Sequence, residues 1–581
     1  MQTQWRVYPQ CARELSNPIR EALTLHPLVA DILVRRGVHT PEAAQRFLKP
    51  SLEHLHDPFL LKDMAQAVAL TAEKIAGGEK IVVSGDYDVD GITSTTLLTE
   101  FLQACGAVVE PFIPNRFDHG YGLTRQSVQA LLALSPKLVI TVDNGITALE
   151  EVGWLQKEGV QTIVTDHHIL RAEGVPPGLV INPLQPDCPY PFKKISGVGV
   201  AFKFITALRK HLRDLGWWAD RPEPNLKDSL DLVAIGTVAD VVPLVDENRT
   251  LVYFGLEVLN RTRPRPGLEA LLSLGRQFNG FGEPPDTITP RTIGFQIAPR
   301  INAAGRMAEG ALGVALLLCR EEAQALVLAQ RLEEENNNRR TRGEEMFAEA
   351  QRLVQAQNRK DPQAGLPVVV VASDLFHEGI VGITASRLAD HYNCPAFVLS
   401  DNGKEYKGSA RAIPGYQLTQ ALAQCQDLLI QWGGHALAAG FTLEKSSLES
   451  FRQRVGEACL AQQQTGAAQT LFLEGRLQPE DISPQLVEQI NALGPFGYDN
   501  DPPTFLLEQS HLPEKIQVLK ERHLKWVLSR QVEMVAWKAA PTFTPSPANQ
   551  YRVRLGFNDY RGVRKIQLTV EDIHQPGNGG E

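Results

Sequence analysis

The sequence predicts an α/β fold of 581 residues: a doubly wound parallel sheet, a long bridging helix, a second and smaller α/β unit, and a C-terminal β-barrel. Three observations carry this reading. Apolar, β-branched runs at Ile81-Val82-Val83, Leu138-Val139-Ile140-Thr141-Val142 and Gln161-Thr162-Ile163-Val164-Thr165 end abruptly at Gly, Asp or Asn, as buried parallel strands do. Helical patterns separate them, and from Lys80 to about Leu318 strand and helix alternate. A strongly polar stretch, 321–360, then repeats apolar residues at three and four, the spacing of one partly exposed helix. At about 1.5 Å per residue it would span on the order of 50–60 Å, bridging two domains and bending most easily at Gly343.

The elements follow in order. Residues 1–75 read as a helical region, from the apolar spacing within 27–34 and 64–72. The first α/β unit takes 76–320 and the bridging helix 321–360. A second α/β unit occupies 361–467, opening on the run from Leu366 to Ser373. Short alternating segments fill 468–574, among them 516–519, 523–528, 551–557 and 565–570, strand signals at the spacing of a small barrel. The tail, 575–581, is Gly-rich and predicted to be disordered.

Composition narrows the function. Hydrophobic residues at 43% and charged residues at 22% belong to ordinary globular domains. The seven cysteines (Cys11, Cys105, Cys188, Cys319, Cys394, Cys425, Cys459) are scattered and show no CxxC. That argues for reduced thiols in a cytoplasmic protein, against a disulfide framework or zinc ribbon. Neither a secretory signal nor a run of membrane-spanning length is visible. With a net charge of −9, nucleic acid must be bound by a local basic channel, because the long-range field sums all charges.

The chemistry gathers just past the strand ends, where open α/β sheets bind their ligands. Asp86, Asp88 and Asp90 lie in SGDYDVDG, Asp143 in ITVDNG, and Asp166-His167-His168 in VTDHH, while Asp240, in GTVADVVPL, can close the crevice. One aspartate after a strand is ordinarily a helix N-cap. Four such stations, three at one topological position, make a metal site instead. Oxygen donors with one or two imidazoles suit Mg²⁺ or Mn²⁺, Mn²⁺ best tolerating the histidine, and this is the makeup of a dinuclear phosphohydrolase. Alternation along an extended segment would turn Asp88 and Asp90 to the same side.

Together Tyr87-Asp88-Val89-Asp90-Gly91, Asp143-Asn144-Gly145, Asp166-His167-His168 and Gly236-Thr237-Val238-Ala239-Asp240 resemble the DHH phosphoesterase family. Within it the likeness narrows to the RecJ-type bacterial single-strand-specific exonucleases. It extends through Pro114-Asn115-Arg116, Gly120-Tyr121-Gly122-Leu123, 299–306, 377–383, Lys407-Gly408-Ser409-Ala410-Arg411 and 433–440, in family order. The resemblance implies a DHH catalytic domain, a DHHA1 domain over the second α/β unit and an OB-fold at the C-terminal barrel. It also implies two Mn²⁺ or Mg²⁺ ions per site. Asp88 would bind the first ion and Asp143 would bridge, with Asp90, His167 and Asp240 on the second. The DNA is expected to be cut 5′ to 3′ into mononucleotides, in recombination and repair.

His168 is read as a hydrogen-bond donor to the scissile phosphate or leaving oxygen, and Asp166 as holding an imidazole in its ligating tautomer. Asp86 is either a solvent-bridged ligand or a turn residue. Arg300 and Arg306 count with the catalytic residues and, with Lys404, Lys407, Arg411, Arg339, Arg340 and Arg342, are expected to line a cationic groove. Arg116, Ser409 and Arg411 would form a pocket for the 5′-terminal phosphate, with Gly433, Gly434 and His435 offering close backbone approach to a phosphate. In the barrel, basic residues interleaved with Trp526, Trp537, Tyr551, Phe557 and Tyr560 suit single-stranded DNA, with about half of these aromatics expected to fill the barrel core and the others to stack on bases. A single-strand-binding protein and a DNA helicase are partners by resemblance; no membrane is expected. The competing readings are a DHH phosphodiesterase acting on short oligonucleotides or cyclic dinucleotides and, from a different class, a non-catalytic scaffold. In Pro495-Phe-Gly-Tyr-Asp-Asn, Asp499 replaces a glycine common in relatives, which puts the turn at issue. Deleting 470–581 is expected to spare the metal site, since no proposed ligand lies there.

Overall fold

The structure, a computed structural model, describes residues 4–115, 119–120, 122–261, 264–278, 287–306, 310–358, 367–463, 470–513, 515–541, 543–560 and 563–575. It opens with β1 (Gln4–Val7) and the helices α1 (Arg13–Leu23), α2 (Pro27–Arg35) and α3 (Pro41–Leu48). Proline in the first turn of α2 and α3, beside the capping side chains of His26 and Thr40, starts both helices. The next helix, α4 (Met64–Ala76), packs into the core of the first α/β unit.

That unit contains β2 (Ile81–Gly85), α5 (Val89–Ala104), β3 (Val109–Phe112), α6 (Arg125–Ala133), β4 (Leu138–Val142), α7 (Leu149–Lys157), β5 (Gln161–Thr165) and β6 (Leu179–Ile181). The five strands are parallel, in the order β3-β2-β4-β5-β6. Side chains leave a strand on alternate faces, so Ile81, Val83, Ile140 and Ile163 join one hydrophobic core and Val82, Val139 and Val164 another. Burial on both faces explains the nearly continuous apolar runs. The chain steps from β2 outward to β3 and then back across to β4. This reversal opens a crevice between the carboxyl ends of β2 and β4.

The predicted alternation stops at β6. Among the described residues, α8 (Gly197–Asp214), α9 (Leu230–Ala239), α10 (Asp246–Leu259), α11 (Pro266–Phe278), α12 (Pro290–Thr292), α13 (Ala298–Arg306) and α14 (Ala311–Leu318) follow with no further strand of that sheet. Segments such as LDLVAIGTVA misled because a helix buried on all sides carries the same apolar run as a buried strand. The bridging helix, α15 (Glu322–Asn358), has 37 residues and a length of about 55 Å. It runs without interruption through Gly343, the position at which the sequence predicts a bend.

The second α/β unit comprises β7 (Val369–Ser373), α16 (Val381–Tyr392), β8 (Ala396–Asp401), β9 (Glu405–Arg411), α17 (Leu418–Ala423), β10 (Leu429–Gly434), β11 (Ala438–Glu444) and α18 (Leu448–Gln463). Its sheet runs β10-β11-β9-β8-β7, and only β7 and β8 are parallel. Met346, Ala350 and Val354 of α15 share a core with Ile380, Ala385 and Leu388, fixing the helix to this unit.

Beyond it come β12 (Thr470–Leu473), α19 (Pro484–Asn491), β13 (Phe505–Glu508), β14 (Gln517–Leu519), β15 (His523–Val527), β16 (Val532–Ala536), β17 (Gln550–Tyr560) and β18 (Val563–His574). The last six form one sheet in the order β13-β17-β18-β16-β15-β14. Its core residues Phe505, Trp526, Tyr551 and Val553 are shared with Ile19, Val29, Ile32 and Leu33 of α1 and α2, and β1 pairs in parallel with β12. The expectation that deleting 470–581 spares the metal site rests on no proposed ligand lying there; the same deletion nonetheless strips α1 and α2 of the core they are built on. Residues 576–581 of the predicted tail lie outside the described residues. No helix among the described residues is long and apolar enough to cross a membrane.

Candidate active site

The loop after β2 is organised by a helix start, not by an extended segment. Asp88 is the N-cap of α5 and accepts the Gly91 N–H at 3.1 Å, while Asp90 sits in the first helical turn. The predicted alternation of Asp88 and Asp90 is thus corrected: an Asp that caps its own backbone nucleates helix here. Asn302 of α13 accepts the Val89 N–H at 3.1 Å and fixes this turn from outside. The carboxylate of Asp90, 1% exposed, accepts N–H groups from Gly197 at 2.7 Å and Val198 at 2.8 Å. These lie at the amino end of α8, capped by Ser196, where the helix dipole favours an anion.

After β4, Asp143 takes a left-handed conformation, φ 58°, which costs roughly 1–2 kcal/mol outside glycine. Asn144 secures the turn by donating to Ser84 O at 3.2 Å and Val142 O at 2.9 Å. Gly197 is needed opposite: a Cβ there would lie 2.5 Å from Asp143 Oδ1. After β5, Asp166 accepts four hydrogen bonds. Its Oδ1 takes His167 N at 2.7 Å, His168 N at 3.1 Å and His168 Nδ1 at 2.7 Å, and its Oδ2 takes Ile146 N at 2.9 Å. Asp166 thus orients His168, not His167. Asp240, at the carboxyl end of α9, places Oδ2 3.6 Å from His167 Nε2, which is also 3.2 Å from Asp143 Oδ1 and 3.9 Å from Asp90 Oδ2.

Three overlapping donor groups result: Asp86, Asp88, Asp143; Asp143, His167, His168; and Asp90, His167, Asp240. Asp143 Oδ1 and His167 Nε2 are buried without a hydrogen-bond partner, a costly state that a bound cation relieves. Hard oxygen donors with imidazole fit Mn²⁺ or Mg²⁺.

Electrostatics divide the residues by role. Burial and the neighbouring Asp88 push Asp90 up to about 7, despite its two backbone donors. Burial, with Asp90 and Asp88 close by, raises Asp240 to about 9 and Asp143 well above the carboxylate range. So many acids in one crevice cannot all ionise without cations. The adjacent histidines part company. Burial lowers His167 to about 4, leaving a neutral ring with a lone pair. Burial also opposes charge on His168, but the hydrogen bond from Asp166 and the surrounding carboxylates outweigh it and raise the ring to about 9. The same bond overcomes burial to hold Asp166 below the usual range.

The remaining predicted residues scatter. Arg300 is buried, donating to Glu333 of α15 and to Gln296 O at 2.6 Å. It cannot line a groove, and its assignment as a catalytic or groove cation is corrected to a buried tie between α13 and the bridging helix. Arg306 reaches the second unit, donating to Gly379 O at 3.2 Å. Ser409 and Arg411 stand together on β9, with Arg411 Nη1 2.9 Å from Ser409 Oγ, and both face Gly382 at the start of α16. No carboxylate among the described residues pairs with Arg411. Gly433, Gly434 and His435 are exposed at the hairpin of β10 and β11, where His435 N donates to Ala438 O at 2.7 Å. Arg116 lies outside the described residues. The turn at Asp499 is resolved by its φ of 60°, the left-handed region that Asp tolerates best after Gly and Asn. Ser196, the cap that aims α8 at Asp90, and Asn302 were missed; the S-x-x-G pattern at 196–199 was the available signal for the first.

Residues 80–237 match the DHH family N-terminal domain, 365–461 the DHHA1 domain, and 473–572 the RecJ OB domain. The single-stranded-DNA-specific exonuclease RecJ of Dickeya dadantii is 35% identical over 98% of this chain and 99% of its own length. The crystal structure of Thermus thermophilus RecJ with Mn²⁺ superposes with a TM-score of 0.80 at 32% identity, covering 99% of this chain and 80% of that one. Its Mg²⁺ complex gives 0.75 at 30%, over 99% and 79%. With the three donor groups at the switch point of the sheet and a likeness that spans almost the entire sequence, this chain belongs to the RecJ family.

Proposed function

We propose that this chain is a single-stranded-DNA-specific exonuclease that degrades its strand from the 5′ end, releasing 5′-mononucleotides. The observation that carries this is the set of overlapping donor groups sharing Asp143 and His167, in a chain whose relatives bear that name. Asp88 and Asp143 would hold one Mn²⁺ or Mg²⁺, and Asp90, His167 and Asp240 a second, with Asp143 common to both and Asp86 beside the first. Bound there, the two ions supply an acidified water and offset charge on the phosphate being cut.

The chain's own groups do the rest. Neutral His167 presents a lone pair, as a ligand must. His168, held charged by Asp166 and 43% exposed at its side chain, donates a hydrogen bond to the scissile phosphate or leaving oxygen. Ser409 and Arg411 anchor the 5′-phosphate with a hydroxyl and a guanidinium, the latter able to grip two oxygens at once. Arg116 is assigned to the same pocket by resemblance. The C-terminal sheet holds the strand that follows. In the cell, the enzyme serves recombination and repair in the cytoplasm, on strands exposed by a helicase and covered by a single-strand-binding protein.

The test is an assay of end-labelled long single strands, blunt duplex and dinucleotides. Mn²⁺-dependent release of mononucleotides from long single strands, silenced by EDTA and by Asp143→Ala, is expected. Preference for dinucleotides would favour the small-substrate reading and refute this one.

A further inference from the structure

Asp240 caps α9 and opens the α9–α10 connection, 240–245, and that connection is held from outside its own unit. Val241 has φ 59°, a β-branched residue in the left-handed region, and is 62% exposed. Such a conformation costs on the order of 1–3 kcal/mol and persists only where the surroundings enforce it. The enforcement is visible. Leu244 N–H donates at 2.8 Å to the carbonyl of Tyr498, in the turn that follows α19. The same turn presses Gly497 onto the buried Leu244 side chain: a Cβ at 497 would come within 2.6 Å of Leu244 Cδ1. Asn248 Nδ2 grips Pro243 O at 3.0 Å.

Arg249, one turn into α10 and 3% exposed, has no carboxylate partner among the described residues. Its guanidinium instead donates to three backbone carbonyls: Phe47 at 2.6 Å, Ala492 at 3.1 Å, and Gly494. It also lies 3.9 Å over the Phe47 ring. With Nε buried and unpartnered, the Nη groups of this charge meet only carbonyls of two distant chain segments, and losing them would leave a buried cation without acceptors, so the contacts tie those segments to α10.

We infer that Arg249 and the turn 492–500 are positioning elements for Asp240: the body made from the two ends of the chain sets the place of a metal-binding carboxylate it does not itself contain. This rests on the reading of Asp240 as a metal ligand. With the contacts intact, 241–245 is held taut and Asp240 points at His167. When they loosen, Val241 relaxes to negative φ and the carboxylate swings out of the group it forms with Asp90 and His167.

The experiment titrates Mn²⁺ calorimetrically into the full chain and into Arg249→Met, Arg249→Lys, Gly497→Ala and Asp240→Asn. Expected for Arg249→Met and Gly497→Ala is a loss of about tenfold in affinity at one of the two Mn²⁺ sites, with the other unchanged. Nuclease activity of both should fall at limiting Mn²⁺ and return at excess, a rescue that a general folding defect would not show. Arg249→Lys should lie between. Wild-type Mn²⁺ affinity in Gly497→Ala and in folded Arg249→Met overturns the proposal. If Arg249→Met does not fold, Gly497→Ala decides alone. Unaltered Mn²⁺ binding in Asp240→Asn would instead overturn the assignment of Asp240 as a ligand.

Discussion

Replacing Asp166 by Asn should move the alkaline limb of the pH–rate profile without removing a proposed metal ligand. Asp166 Oδ1 lies 2.7 Å from His168 Nδ1, and this contact with the surrounding carboxylates raises His168 to about 9. An amide keeps one acceptor for the backbone N–H groups of His167 and His168 but carries no charge. His168 should then drop toward its ordinary value of about 6.5. At pH 8 the charged fraction would fall from roughly 90% to roughly 3%, about a thirtyfold loss if charged His168 is the donor to phosphate. Bound cations lower both values, so the displacement between the two enzymes is the readout. The assay is kcat/KM on a 5′-labelled single strand from pH 5.5 to 9.5 at saturating Mg²⁺, with Mg²⁺ affinity measured in parallel. An alkaline limb that stays in place in Asp166→Asn, at unchanged Mg²⁺ affinity, would refute the charged-His168 argument.

Three further outcomes are expected. Asp90 and Asp240 are raised to about 7 and about 9, above their unfolded values, so their contribution to stability is complete below about pH 4 and is lost as pH rises through those folded values. The stabilisation conferred by Mn²⁺ in a thermal melt should therefore grow between pH 5.5 and 8.5, and calorimetry should detect proton release on binding at pH 6; a flat response contradicts the electrostatics. Arg411→Ala should erase most of the preference for 5′-phosphorylated over 5′-hydroxyl strands while leaving Mn²⁺ affinity intact, and an unchanged preference removes Arg411 from the pocket. Glu333→Ala leaves Arg300 charged and buried, which should cost about 3–5 kcal/mol in urea unfolding, and a loss under about 1 kcal/mol would show the pair is dispensable.

The donor groups after β2, β4 and β5 were legible because chemistry that depends on strand ends leaves a local mark: an apolar run, then an acid. What the sequence hid was non-local or ambiguous in period. Asp88 and Asp90 sit two apart, which suits a strand, yet Asp88 caps a helix and brings Asp90 to the amino end of α8, more than a hundred residues away. Leu230–Ala239 is apolar enough to pass for a strand. Arg300 looked like a groove cation because nothing local announces Glu333, its partner on another helix. The shared core of Ile19 and Ile32 with Trp526 and Tyr551 joins segments whose separate patterns are complete in themselves, so neither asks for the other.

That shared core also sets an order of events during synthesis. Leu33 of α2 and Phe505 of β13, both members of it, are roughly 470 residues apart in sequence. At a synthesis rate of about 5–20 residues per second, α1 and α2 wait roughly 25–95 seconds for the first of these partner strands to emerge. The sheet from β2 to β6 and its helices draw their core from residues 61–332 and can close well before that. A growing chain thus carries a nearly finished catalytic unit while the hydrophobic faces of α1 and α2 remain uncovered, and these are the surfaces a chaperone or an aggregate would meet first.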